Sequence, residues 1–172
     1  MSAPPWQPFE LSITSSQGLR SATYLLAVAR QFDVQSAARY RGGGGAKLTY
    51  CNIFAWDFTR GMTCEVPHWF TEDGEPAAVG SGQEMTANMM LAWLLEHGPS
   101  RGWAGLARHR DATLFASLGW PTLALWRNPD GPGHVAVVLP SGNIAQAGAR
   151  NFFDEPLSHG FGAKVPSFFT HQ

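Results

Sequence analysis

Residues 122–148 read TLALWRNPDGPGHVAVVLPSGNIAQAG. Apolar, largely β-favouring residues fill 122–127 and 134–139, and Asn128-Pro129-Asp130-Gly131-Pro132-Gly133 separates them. That is the composition of strand, turn and strand. Ser141-Gly142-Asn143 makes a second tight turn into a third strand over 143–148. A last strand is predicted at 164–169, weakened by Pro166, which has no N–H for a ladder.

Upstream of this meander the apolar period is helical. Residues 16–32 place Leu19, Leu25, Leu26, Ala29 and Phe32 on one broad stripe. Residues 51–62 align Cys51, Phe54, Ala55 and Phe58 on one face, with Asp57 and Arg60 spaced to pair on the outer side. Ser81-Gly82-Gln83-Glu84 has the S-x-x-E form of a capping box and predicts a helix from there to about His97. A shorter helix is expected at 110–118. Residues 1–14, with three prolines, read as an extended lead-in, and residues 35–48, with Gly42 to Gly45, as a loop. Helices first and strands after predict an α+β fold in a single domain spanning 1–172.

Composition narrows the function. The chain is 44% hydrophobic and 15% charged, with a net charge of −1. That describes a chain with a core, and it offers no basic stripe for a nucleic acid partner. No apolar run approaches the roughly 20 residues of a membrane span. The first residues, MSAPPWQPFE, carry neither a basic nor an apolar signal region, so no secretory signal is expected. The four-glycine run lacks the Gly-Lys-Ser/Thr ending of a phosphate loop.

The chemistry-bearing residues are few. Cys51 stands where a Gly-rich loop hands over to a helix, and the free N–H groups and dipole of a helix start are expected to lower its pKa and to serve an oxyanion. His134 opens a strand directly after Gly133, with small Ala136 two residues on leaving room for an imidazole. A base of this kind needs a third group to orient it. Gln146, twelve residues on in the neighbouring strand, is the better candidate, and Asn143 near the turn is its rival.

This order of Cys, Gly-His-hydrophobic strand and polar residue resembles the papain-like NlpC/P60 and CHAP hydrolases over roughly residues 40–150. The stretches Arg39-Tyr40, Thr49-Tyr50-Cys51-Asn52-Ile53-Phe54-Ala55-Trp56-Asp57 and Pro67-His68-Trp69 are similar to bacterial and phage-associated proteins of that sort. The resemblance implies N-terminal helices, with the cysteine at a helix start, packed on an antiparallel sheet. It also implies a cysteine peptidase or amidase cleaving peptidoglycan stem peptides, with Cys51 as nucleophile, His134 as base and Gln146 orienting it. Autolysins, phage endolysins and type VI secretion amidase effectors belong to this group. The implied setting is the cell wall, reached by phage, lysis or a secretion system, with a cognate inhibitor protein as a potential partner.

Other residues carry weaker expectations. Tyr40, Tyr50, Asn52, His68 and Trp69 are candidates for substrate binding or for orienting the site, with packing as the alternative for each. Cys64 is expected to pack. Cys64 and His68 resemble half a zinc site without a second half, so no metal is expected, and the chemistry needs no cofactor. Two other functions fit the same residues: a catalytically silent peptide- or protein-binding module on this fold, and a protease or deamidase with a protein substrate.

Overall fold

The structure is a computed structural model that describes residues 5–41 and 49–172. The glycine run Gly42 to Gly45 lies outside the described residues. Helix α1 spans Ala22–Arg30, α2 Cys51–Gly61, α3 Ala87–Glu96, α4 His109–Ser117 and α5 Leu157–Phe161. Strands β1, Trp69–Phe70, and β2, Gln83–Glu84, form a small antiparallel pair. The main sheet holds β3, Trp103–Leu106; β4, Thr122–Trp126; β5, His134–Val138; β6, Ile144–Gln146; β7, Phe152–Glu155; and β8, Ser167–His171. Its order is β3-β8-β4-β5-β6-β7, antiparallel throughout. The fold is α+β. No helix among the described residues is long and apolar enough to cross a membrane.

The meander β4–β7 follows from the turn chemistry between its strands. Leu123–Leu125 and Val135–Val138 are buried at every position, which is why they read as unbroken apolar runs and not as alternating ones. Helix α2 packs across β5 and β6 and against α1. A chain of edge-on aromatic contacts supports it, with centroids 5.1 Å apart for Phe9–Phe32, 6.1 Å for Phe32–Phe54 and 5.6 Å for Tyr40–Phe54. Each contributes about 0.5–1.5 kcal/mol beyond its area burial. Phe9, Leu11 and Ile13 of the lead-in pack on the same core.

Several expectations are corrected. The helix expected over 16–32 starts at Ala22, where Ser21 caps it by accepting from Tyr24 N–H at 3.2 Å. Residues Gln17–Leu19 form a separate turn that leaves Leu19 exposed. Ser81-Gly82-Gln83-Glu84 does not open α3. Gly82 has φ +76°, left-handed and incompatible with a first helical turn, and Gln83–Glu84 pair with β1. The cap is Thr86, whose hydroxyl accepts from Met89 N–H at 3.3 Å. The last strand begins at Ser167, beyond Pro166. Strands β3 and β7 and helix α5 were not expected.

Asp57 does not pair with Arg60 on an outer face. Its carboxylate is fully buried and accepts from Arg39 Nε at 2.6 Å, from Arg39 Nη2 at 2.9 Å and from the Tyr40 hydroxyl at 2.7 Å. Burial raises the Asp57 carboxyl above its ordinary value, and the Arg39 and Tyr40 hydrogen bonds oppose that rise. This network ties the segment before the glycine run to the middle of α2. Arg60 Nη1 instead donates to the Phe9 carbonyl at 3.1 Å.

Candidate active site

Cys51 opens α2. Tyr50, before it, makes no side-chain cap, so the first-turn N–H groups go unclaimed by one. The backbone N–H groups of Val135, Asn52 and Cys51 all favour the Cys51 thiolate, and Thr49 Oγ1 lies 4.0 Å from the sulfur. Val135 directly follows His134, so the sulfur reaches the strand one residue beyond the imidazole. The expected lowering of the thiol pKa does not hold. Cys51 is only 3% exposed, and burial pushes its pKa up despite those hydrogen bonds.

His134 opens β5 opposite Trp126 of β4. Its Nε2 donates to Gln146 Oε1 at 2.6 Å. The Gln146 amide N–H donates in turn to the Arg150 carbonyl at 3.0 Å, which fixes the amide with its oxygen toward the ring. An amide oxygen only accepts, so Nε2 carries the ring proton and Nδ1 carries the lone pair. The Phe161 ring, at the end of α5, closes on the imidazole with centroids 5.0 Å apart. Burial lowers the His134 pKa; the Gln146 hydrogen bond pulls it back, and the Lys164 charge lowers it further. Both side chains are thereby biased toward their neutral forms.

The turn before His134 is held from α3. Asn88 Nδ2 donates to the carbonyls of Asn128 and Gly131, at 2.9 and 3.0 Å, and its Oδ1 accepts from Asn128 N–H at 2.9 Å. A Cβ on Gly133 would collide with Asn88 and lie 2.8 Å from the Trp126 carbonyl. This contact explains the glycine before the histidine.

Two clefts meet at this corner. A cavity of about 300 Å³ is lined by Cys51 with Asn52, Thr86 and Asn88. A larger groove of about 650 Å³ is lined by His134 and Gln146 with Trp126, Arg150, Phe161 and Lys164. Thr49, Pro132 and Gly133 line both. The groove's charges are uneven. Glu155 pairs with both Arg150 and His159, whereas the Lys164 ammonium sits 4.5 Å above the Trp126 ring.

The remaining candidates lie elsewhere. Asn143 is turned away from the imidazole, its Nδ2 donating to Asp154 Oδ1 at 3.0 Å. Tyr40 is buried on Asp57, and Tyr50 packs against the core. Asn52 lines the smaller cleft and donates one Nδ2 N–H to the Met85 carbonyl at 2.7 Å. His68 is buried, stacked on Trp56 at 5.0 Å with Nε2 3.2 Å from Glu84 Oε1, and Trp69 meets it edge-on. Neither His68 nor Trp69 lines either cleft. Cys64 is a buried free thiol whose pKa burial raises. Among the described residues, no group of three His, Cys, Asp or Glu side chains is placed to hold a metal.

Sequence reasoning passed over Thr49, Asn88, Phe161 and Lys164. Thr49, two residues before the nucleophile candidate, was within reach of a local search; the others come from distant segments. No family model matches the chain, and no curated protein matches it.

Proposed function

We propose that this chain is a cysteine hydrolase that cleaves amide or peptide bonds, with peptidoglycan stem peptides as substrate. The observation carrying the proposal is the tautomer-fixed His134–Gln146 pair on β5 and β6, beside the helix start that bears Cys51. The substrate class comes from the resemblance of the Cys51 and His134 segments to NlpC/P60 and CHAP hydrolases.

In this reading the thiol and imidazole rest neutral. The sulfur and the imidazole make no hydrogen bond to each other at rest, so they must draw together as substrate binds. As the sulfur then attacks the carbonyl carbon, its proton passes to His134 Nδ1 and a carbon–sulfur bond forms. The imidazolium then protonates the leaving amine as the carbon–nitrogen bond breaks. Water, deprotonated by the same nitrogen, hydrolyses the thioester and restores the thiol. Gln146 holds Nε2 protonated throughout, so the working lone pair stays on Nδ1.

The test compares wild type with Cys51→Ala on purified peptidoglycan, reading released muropeptides by mass spectrometry. New amine termini from wild type and none from a folded Cys51→Ala variant are expected. Equal release from both would remove Cys51 from the chemistry. The burial of Cys51 favours a second reading, a binding module on this scaffold, in which wild type binds muropeptides and releases nothing.

A further inference from the structure

We propose that the Thr49 hydroxyl is an oxyanion donor of this site, so that the scissile carbonyl lies over the Thr49–Gly133 ridge where the two clefts join. The assignment rests on the cysteine hydrolase reading above, and it supplies a side-chain donor beyond the helix N–H groups. Three observations place it there.

The first is distance. Thr49 Oγ1 is 4.0 Å from the Cys51 sulfur. Oxyanion donors act at about 2.7–3.1 Å from where the negative oxygen forms. That oxygen is carried by the carbon the sulfur has just bonded, so a hydroxyl at this range reaches it without displacing the sulfur.

The second is position between the clefts. Thr49, Pro132 and Gly133 alone line both. Proline has no N–H, and the space a side chain would take at Gly133 is filled by Asn88 and the Trp126 carbonyl. Of the three, Thr49 supplies the only side-chain donor. A substrate spanning both clefts must pass it at the bond being cut.

The third is availability. The Thr49 hydroxyl has no other hydrogen-bond partner among the described residues besides the sulfur. Of the other polar side chains in the Cys51 cleft, Asn88 donates to the Asn128 and Gly131 carbonyls, Asn52 donates one N–H to the Met85 carbonyl and Thr86 accepts from Met89 N–H. Thr49 alone among these described side chains is hydrogen-bonded to the sulfur. When the tetrahedral intermediate forms, the hydroxyl rotates from the sulfur to the new oxygen. No bond to Thr49 is made or broken.

The test uses the full chain and soluble muropeptides, with Thr49→Val removing the hydroxyl at nearly constant shape and Thr49→Ser keeping it. Thr49→Val is expected to lower kcat about 10²-fold with KM little changed, the loss typical of one oxyanion donor. Thr49→Ser is expected to stay within about 3-fold of wild type. Iodoacetamide alkylation of Cys51 separates this role from one on the thiol itself. Alkylation creates no oxyanion and loses only the Thr49 contact that favours the thiolate, so its rate in Thr49→Val should fall by less than about 10-fold across pH 6–9 while kcat falls about 10²-fold. Normal turnover by Thr49→Val, or an alkylation rate that falls as far as kcat, overturns the assignment while leaving Cys51 as nucleophile. A wild type with no Cys51-dependent turnover overturns both this assignment and the function it rests on.

Discussion

Gln146 Oε1 accepts the His134 Nε2–H at 2.6 Å, and Gln146 Nε2 is anchored on the Arg150 carbonyl. The pair therefore has one satisfied arrangement: flipping the amide would set two N–H donors against each other and two acceptors against each other. Gln146 is 4% exposed, so water does not offer an easy substitute. An amide in this place orients the imidazole without adding a negative charge.

Replacing Gln146 tests orientation against charge. Gln146→Ala should lower kcat about 10²-fold or more, because the ring loses its tautomer lock. It should also cost about 1–3 kcal/mol of stability from the orphaned partners. Gln146→Glu should retain more activity and move the acidic limb of the rate profile upward, since a carboxylate favours the imidazolium. A full pH–rate profile of each variant is the measurement, and an unchanged acidic limb in Gln146→Glu would contradict the assigned contact.

The pH dependence has a definite sign. Burial depresses the folded pKa of His134 below its unfolded value of about 6.5. Below that value the unfolded chain takes up a proton that the folded one resists, so stability is complete above it and falls as pH drops toward the folded pKa. His68 and His171, lowered chiefly by burial, add to the same slope. Urea midpoints at pH 7.5, 6 and 5 should decline in wild type and decline less in His134→Gln. Because burial raises the Cys51 thiol, turnover should extend on the alkaline side above the ordinary thiol range, and native alkylation near neutral pH should be slow. Rapid alkylation of the native protein at pH 6 would show that the resting thiol is ionised.

Gly148 offers a steric probe of the same contact. A Cβ there would lie 2.7 Å from Gln146 Nε2 and 3.3 Å from His134 Cε1. Gly148→Ala should displace the amide, lowering turnover by at least about 10-fold and costing about 1–3 kcal/mol, the usual range for overpacking. Imidazole nitrogen shifts by NMR would register the lost hydrogen bond. Wild-type shifts and wild-type turnover together would mean that the amide does not hold the ring.

The buried Arg39–Asp57–Tyr40 network should matter for stability far more than its distance from the clefts suggests. Removing the Asp57 carboxylate takes the counter-charge from a buried guanidinium, which keeps its Nη2 bond to the Gln7 carbonyl at 2.7 Å, and such losses cost about 3–5 kcal/mol. Asp57→Ala is expected to lower the urea midpoint accordingly, and a loss under about 1 kcal/mol would show that the Asp57 carboxylate is not needed to hold Arg39.

What was legible in the sequence divides along physical lines. The start of α2 at Cys51 and the strands at 122–126 and 134–138 could be read because turn residues and periodicity act locally. The pairing of Gln146 with His134 was also reachable, since one hairpin fixes their register. Asp57 was misplaced because its partner, Arg39, comes from a segment outside α2 that helical spacing cannot reveal. The pKa of Cys51 was misjudged for a related reason. A helix start argues for the thiolate, but the depth at which α2 packs on β5 decides the outcome, and depth is a property of the assembled core. Phe161 and Lys164 reach the groove from α5 and the segment after it, where local composition gives no sign of a site.

Strand β8 is threaded between β3 and β4, bonded to both. Clipping Ser167–His171 would therefore do more than shorten a tail. It would bare the flank of β4 and strip β3 of its neighbour in the main sheet, creating two open ladders side by side. Such a nicked chain is primed to recruit a strand from another molecule, so proteolytic damage here would show itself as self-association before any loss of the meander that carries His134.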